Sequence, residues 1–339
     1  MLVLLALVAA ALAVAVAFSS LASVPAAAGA LALDVTPVPL DPTNPSRDAV
    51  GPLRYLGGLW LRSRDARFGG LSDIRVSRDG SRLFAISDCG QGLTASLSYD
   101  AEGRLADLGD ARLIELARRG GERPTLGGSD AESLVLGDGL EVGFEGVWPR
   151  ILAYRAEPPF GGPARPLPLP PDVGSCARNG GLEAMADLGG DGRRFLVCEA
   201  RRGASSTVPA WVGRSGAWAE RDYALAFEGG WAGEPFRPTG AALLPDGDLL
   251  VLERRFPPIG ARLARLPRAS LDGTGPLVPR EVARFEAPLT VDNFEGVEAR
   301  RDASGRTLVY LLSDDNNCAK NTSAPGLQRT LLLMFALGE

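Results

Sequence analysis

Five short apolar runs in this chain each end on a carboxylate: Asp88, Glu145, Glu199, Glu253 and Asp314. They recur every 54 to 61 residues, and a second mark stands 13 to 19 residues before each of them: Ser72, Glu132, Glu183, Thr239 and Glu295. Acids that repeat around an axis converge into a ring of oxygen donors. Such a ring suits calcium or another hard divalent cation, which takes roughly six to eight oxygen ligands. Asp88, Glu145, Glu199, Glu253 and Asp314 are therefore the expected metal ligands, and Glu132, Glu183 and Glu295 the expected catalytic carboxylates. Arg201, Arg202, Arg254 and Arg255 lie just past Glu199 and Glu253. Guanidinium forks grip phosphate or carboxylate oxygens bidentately, so these four are the expected substrate-binding residues, Arg202 and Arg254 foremost. The oxygen-rich run Asp314-Asp315-Asn316-Asn317 also suits a cation, although it lacks the Gly and terminal Glu of an EF-hand loop.

One exclusion is firm. The chain has no histidine, which removes Ser-His-Asp hydrolysis, Cys-His proteolysis, His-ligated zinc and phosphohistidine chemistry. Any catalysis must use carboxylates, arginines, hydroxyls, water or a hard metal. The opposite reading of the ring is architectural: an acid at a strand end can simply accept hydrogen bonds from the backbone of the next repeat.

The elements that must carry these residues follow one grammar. A short alternating strand leads to a Gly/Asp turn, and an apolar strand then runs to the acid. The turns are Asp79-Gly80, Asp138-Gly139, Asp191-Gly192, Asp246-Gly247 and the stretch from Asp302 to Gly305. Asp-Gly between apolar runs marks a tight hairpin, because both central residues need positive φ. Five such hairpins at this spacing are expected to be the inner strands of propeller blades. Pairing Arg329–Phe335 with the N-terminal strand near Leu56 is expected to close a sixth. The sequence thus predicts one all-β domain, a six-bladed β-propeller closed by N- and C-terminal strands over residues 53–339, preceded by an extended lead-in over 29–52. Pro158 to Pro171 reads as a loop or extended edge, and Asp110 to Arg119 allows at most a turn or two of helix. The tryptophans Trp60, Trp148, Trp211, Trp218 and Trp231 read as packing residues rather than sugar platforms.

Residues 1–28 look like an export signal: Met1 to Phe18 carries no charged side chain, and Ala26-Ala27-Ala28 suits a signal-peptidase site. A retained membrane anchor is the alternative. A formal net charge of −5 argues against nucleic-acid or anionic-membrane partners, and Lys320 is the only lysine among 36 basic residues. The four cysteines are an even number in an exported chain, with Cys176–Cys198 the favoured pair and Cys89 and Cys318 placed to meet near the mouth. The expected setting is periplasmic or secreted, and the expected state a monomer.

The segments GLSDIRVSRDGSRLFAISD, DAESLVL, GGLEAMADLGGDGRRFLVCEA, PTGAALLPDGDLLVLERRF and NFEGVEARRDASGRTLVYLLSDDNN resemble the bacterial phytase-like propeller family, "esterase-like activity of phytase". The resemblance spans about residues 50 to 337. It implies a metal-assisted hydrolase of a small anionic phosphate or carboxylic ester. A departure is that Glu145 is followed by Gly-Val-Trp-Pro, and only then by Arg150. Two other readings use the same mouth: a non-catalytic propeller that binds a ligand or protein, and a calcium-dependent sugar lactonase.

Overall fold

The structure, a computed structural model, describes residues 29–117, 130–227, 234–317 and 328–338. The export-signal expectation on residues 1–28, Trp231 and Cys318 lie outside the described residues.

The five Asp-Gly hairpins form as expected. In blade 1, Leu71–Val76 turns into Arg82–Ser87, followed by Gln91–Tyr99 and Leu105–Glu115. Blade 2 is Ala131–Leu136, Leu140–Phe144, Arg150–Tyr154 and Arg165–Leu167; blade 3 is Leu182–Asp187, Arg193–Cys198, Thr207–Arg214 and Ala217–Ala224. Blade 4 comprises Arg237–Leu243, Leu249–Arg255, Gly260–Leu266 and Arg280–Phe285. Blade 5 begins with Asn293–Arg301 and Thr307–Asp314, and the two ends of the chain complete it. Thr330–Leu337 pairs with Thr307–Asp314 on one side and with Leu53–Arg62 on the other.

The fold is therefore an all-β propeller of five blades, and the expected sixth blade is corrected. The closure itself is the one the sequence suggested. Its two strands, however, supply the missing outer half of the fifth blade rather than a blade of their own. The lead-in adds short strands to existing edges: Asp34–Pro37 and Ala49–Val50 pair with Leu53–Arg62, and Gly29–Ala30 pairs with the outer strand of blade 1. These cover edges that would otherwise be open to pairing with another chain. Asp110 to Arg119 is not helical where described, since Leu105–Glu115 is a strand, while the proline-rich stretch supplies the edge strand Arg165–Leu167.

Apolar contacts fall into five clusters, each between two neighbouring blades. Leu308, Tyr310 and Leu312 face the blade 1 side, for example, while Val309 and Leu311 on the same strand face blade 4. Successive side chains of a strand point to opposite faces, so a strand sandwiched between two blades must be apolar throughout. This is why the runs before the ring acids show no alternation. The innermost strands neighbour one another in cyclic order and run in a common direction around the axis. One end of the channel therefore gathers the starts of these strands, and the other gathers the Asp-Gly turns. Among the described residues, no helix is long and apolar enough to cross a membrane.

Candidate functional site

The mouth formed by the strand starts is built by a repeated irregularity. Each innermost strand loses register with its partner at one residue: Ser72, Glu132, Glu183, Thr239 or Glu295. A bulge leaves the extra residue out of the ladder and re-aims its side chain, a device common beside functional sites. The five marks expected from sequence are thus the five bulge residues.

Register also fixes the outer tier. Leu71 pairs with Ser87, Ala131 with Phe144, Leu182 with Cys198, Pro238 with Glu253 and Phe294 with Ser313. The next residue in each blade is Asp88, Glu145, Glu199, Arg254 and Asp314. The fourth ring position is consequently Arg254 and not Glu253, and the expectation for Glu253 as a metal ligand is corrected. Its carboxylate faces away from the mouth, fully buried, accepting a 2.7 Å hydrogen bond from the Tyr223 hydroxyl and paired with Arg262.

Arg254 lies among carboxylates. Its Nη2 is 2.8 Å from Glu199 Oε1, its Nε is 3.4 Å from Glu295, and its Nη1 donates to Asn293 Oδ1 at 3.0 Å. The Asn293 amide in turn donates to Glu295 Oε1 at 2.9 Å and to Asp314 Oδ2 at 3.4 Å. On the other side of the mouth, Asp130, Glu132 and Glu145 each present an oxygen within 4.8 Å of the others. Asp130 was missed in the sequence reading because it precedes the strand and belongs to no repeat.

These acids crowd one another. Burial, then the charges of Glu183, Glu145, Asp88 and Asp130, holds Glu132 well above the ordinary carboxylate range. Burial and the carboxylates of Glu199, Glu145 and Glu295 do the same to Glu183 against the pull of Arg254. Burial pushes Glu295 up to about 7 although Arg254 opposes it, and burial with Asp130 pushes Asp88 up to about 7. Asp314 is likewise raised by burial and by Asp88 and Glu295. One guanidinium does not neutralise this set.

Part of the ring is structural. Glu145 accepts hydrogen bonds from the Gly180 and Gly181 amides of blade 3 at 2.7 and 2.6 Å, and Asp315 accepts from the Gly70 amide of blade 1 at 2.9 Å. A Cβ on Gly181 would stand 2.8 Å from that of Glu145, so this approach needs glycine. Ser72 and Thr239, which interrupt the acidic tier, donate to the Gly70 and Phe294 carbonyls.

Of the four arginines expected to hold substrate, Arg254 alone joins the acid cluster. Arg201 pairs with Asp222 at 2.7 Å, and Arg255 pairs with Glu286 at 2.7 Å and stacks over Phe236. Arg202 donates to the Cys176 carbonyl and lines a cavity of about 210 Å³ with Arg178 and Glu145. That cavity abuts the Cys176–Cys198 disulfide, which forms as expected; Cys89 is also disulfide-bonded. Disulfides of this kind suit an oxidising, extracellular setting. Trp148, on the loop after Glu145, is 80% exposed, whereas Trp211 is fully buried.

Fold and site together define a five-bladed propeller with an acidic mouth able to hold a metal ion. The chain belongs to the phytase-like family described as esterase-like activity of phytase, which matches residues 66–317. No match to a curated protein is found. Solved structures similar to it include the WD40 repeats of RRP9, at 13% identity and a TM-score of 0.41, covering 91% of this chain and 99% of that one. Another is the PQQ-bound aldose sugar dehydrogenase from Streptomyces coelicolor, at 15% identity and a TM-score of 0.39, covering 91% of this chain and 100% of that one. A luciferin-regenerating enzyme is similar at 10% identity and a TM-score of 0.39, covering 90% and 98%.

Proposed function

We propose that this protein is an exported, metal-assisted ester hydrolase that works at the acidic mouth on a small phosphate or carboxylic ester, in the periplasm or outside the cell. The observation that carries the reading is the cluster of Asp130, Glu132 and Glu145 within 4.8 Å, beside Glu183 and Glu295 on neighbouring blades. All-oxygen donors at this spacing fit a hard divalent cation, and calcium is the first choice. Such an ion supplies a Lewis acid for an ester oxygen and a lowered pKa for its water. Asp130, Glu132 and Glu145 are its holders in this scheme, and Asp88 and Asp314 extend the oxygen-rich wall.

The protein's own groups divide the remaining work. Glu183 and Glu295, raised by burial, keep a proton near neutrality and are suited to give it to a leaving oxygen. Arg254 is already bound to Glu199 and Asn293, so it fixes the carboxylates in place and offers its remaining N–H to an anionic substrate. Arg201 and Arg255 are engaged with Asp222 and Glu286, while Arg202 stands with Glu145 in the small side cavity.

A second reading rests on Trp148. With an exposed indole on the loop after Glu145, a neutral sugar lactone is the alternative substrate. The deciding experiment uses protein passed over a chelating resin and titrated with Ca²⁺, Mn²⁺ and Mg²⁺ by thermal shift. Phosphate monoesters, aryl esters and sugar lactones are then assayed in parallel. Cation-dependent turnover that Glu132→Gln and Glu183→Gln abolish without unfolding supports the hydrolase. If no cation raises the melting temperature and no ester is cleaved, the mouth is a non-catalytic binding surface.

A further inference from the structure

The opposite end of the channel is lined by Arg78, Arg82, Arg194 and Arg300 together with Asp138, Asp187 and Glu298. Its cavity, about 910 Å³, is floored by Arg75 and walled by the ends of the innermost strands, including Ala241–Leu243 and Glu298–Arg300. Arg75 closes it off from the acids. The guanidinium of Arg75 donates to the carbonyls of Met185, Ala241 and Val297 on three other blades, across the axis.

A groove of about 510 Å³ extends from this end between blades 4, 5 and 1, lined by Arg78, Arg268, Arg300 and Arg301. Several other arginines are matched, Arg194 with Glu141, Arg265 with Asp246 and Asp248, Arg306 with Asp302, while Arg202 and Arg221 are held by carbonyls. Among the described residues no ion pair joins Arg78, Arg300 or Arg301 to a carboxylate, although Asp246 shares the groove and the charge of Arg300 acts on Glu298. Arg268 is 3.5 Å from Asp272.

Arg300 is held in place by neutral groups. Its Nε donates to the Tyr310 hydroxyl at 3.1 Å, and its guanidinium lies 5.7 Å and 5.9 Å from the Tyr310 and Tyr99 ring centres. The two hydroxyls lie 3.0 Å apart, and that of Tyr99 donates to the Gly80 carbonyl at 2.8 Å. A Cβ at Gly80 would collide with the guanidinium, so the Asp79-Gly80 turn makes room for Arg300 as well as reversing the chain. A cation fixed by aromatic rings and a hydroxyl keeps its charge available for a ligand.

We infer that this groove is a binding site for a small, multiply charged oxyanion, gripped by Arg78, Arg300 and Arg301. Phosphates and polycarboxylates share the required chemistry, planar sets of oxygens that match guanidinium forks. The inference does not depend on the acidic mouth or on a metal.

The test is isothermal titration of resin-treated protein at low ionic strength with pyrophosphate and, separately, tricarballylate. Arg78 and Arg301 are exposed, so the double variant Arg78→Gln/Arg301→Gln should fold and melt as the parent does. Binding of either probe that the double variant weakens at least tenfold, and that Glu183→Gln leaves unchanged, is the expected result; which probe binds identifies the oxyanion class. Arg300→Lys, which keeps the charge but loses the fork, should weaken binding as well. No binding of either probe, or binding that persists in the double variant, overturns the inference. Loss of the cation response at the acidic mouth with anion binding intact would sink the hydrolase proposal alone.

Discussion

Arg75 and Asp73 form a 3.0 Å ion pair inside the channel, and between them they touch every blade. Both stand on the innermost strand of blade 1. Asp73 accepts a 2.8 Å hydrogen bond from the Leu134 amide of blade 2, while Arg75 reaches carbonyls of blades 3, 4 and 5. Glu298 lies 3.7 Å from the same guanidinium. Replacing Arg75 by Met should cost about 3–5 kcal/mol, because it strands buried Asp73, partly buried Glu298 and four carbonyls. Arg75→Lys should recover little of that, since one ammonium cannot match the fork. Urea denaturation measures both; a near-parental midpoint for Arg75→Met would remove this pair from the account of stability.

Stability of the metal-free protein should fall as pH rises from about 4 to about 7. Asp88 and Glu295 have folded-state values of about 7, against ordinary values of 3.8 and 4.5. The native state therefore binds more protons than the unfolded chain across that window, and stability declines with pH wherever this holds. A bound divalent cation reverses the preference, so Ca²⁺ should raise the melting temperature more at pH 8 than at pH 5. Thermal melts at several pH values, with and without Ca²⁺, check the sign.

Neutralising one member of the crowd should help the empty mouth and harm the loaded one. Glu132→Gln is expected to stabilise the metal-free protein by roughly 1–3 kcal/mol at pH 8, since the group is raised by burial and by like charges. The same change should remove most of the Ca²⁺-induced shift. Destabilisation in the metal-free state would mean that Glu132 is held by bonds rather than repelled by neighbours.

Glu253 and Arg254 are adjacent in sequence and should behave oppositely. Glu253→Gln breaks a buried pair with Arg262 and is expected to cost about 3 kcal/mol while leaving the Ca²⁺ shift unchanged. Arg254→Met removes the positive charge that lies between Glu199 and Glu295. It should weaken the metal-free protein, tighten Ca²⁺ several-fold and lower kcat/KM on anionic esters. Paired thermal-shift and kinetic measurements on the two variants separate an architectural residue from a ring residue.

That pair also shows how far the sequence could be read. Spacing and Asp-Gly turns identify the hairpins, because hairpin chemistry is local and a period of 54 to 61 residues repeats it. Leu249–Arg255 has no local mark of where the ladder stops, so sequence alone points to the first acid after the apolar run. The bulge at Thr239 settles the register and moves the ring to the next residue, and no spacing rule contains that information. The blade count failed for a related reason. Arg329–Phe335 was correctly joined to the strand near Leu56, but whether those strands complete a blade or make one depends on how many partners Thr307–Asp314 already has. Proximity in sequence points Arg201 and Arg255 to the mouth, whereas the bonds to Asp222 and Glu286 direct them elsewhere, Arg255 alternating away from Arg254 along its strand.

Blade 5 sets the order of events when the protein is made. Its inner hairpin is translated long after Leu53–Arg62 and must wait for Thr330–Leu337 to bridge the two. Until that strand arrives, Leu53–Arg62 and Thr307–Asp314 each have an unfilled edge. The outer half of blade 5 is therefore joined to its inner hairpin only once Thr330–Leu337 has been made, long after Arg62.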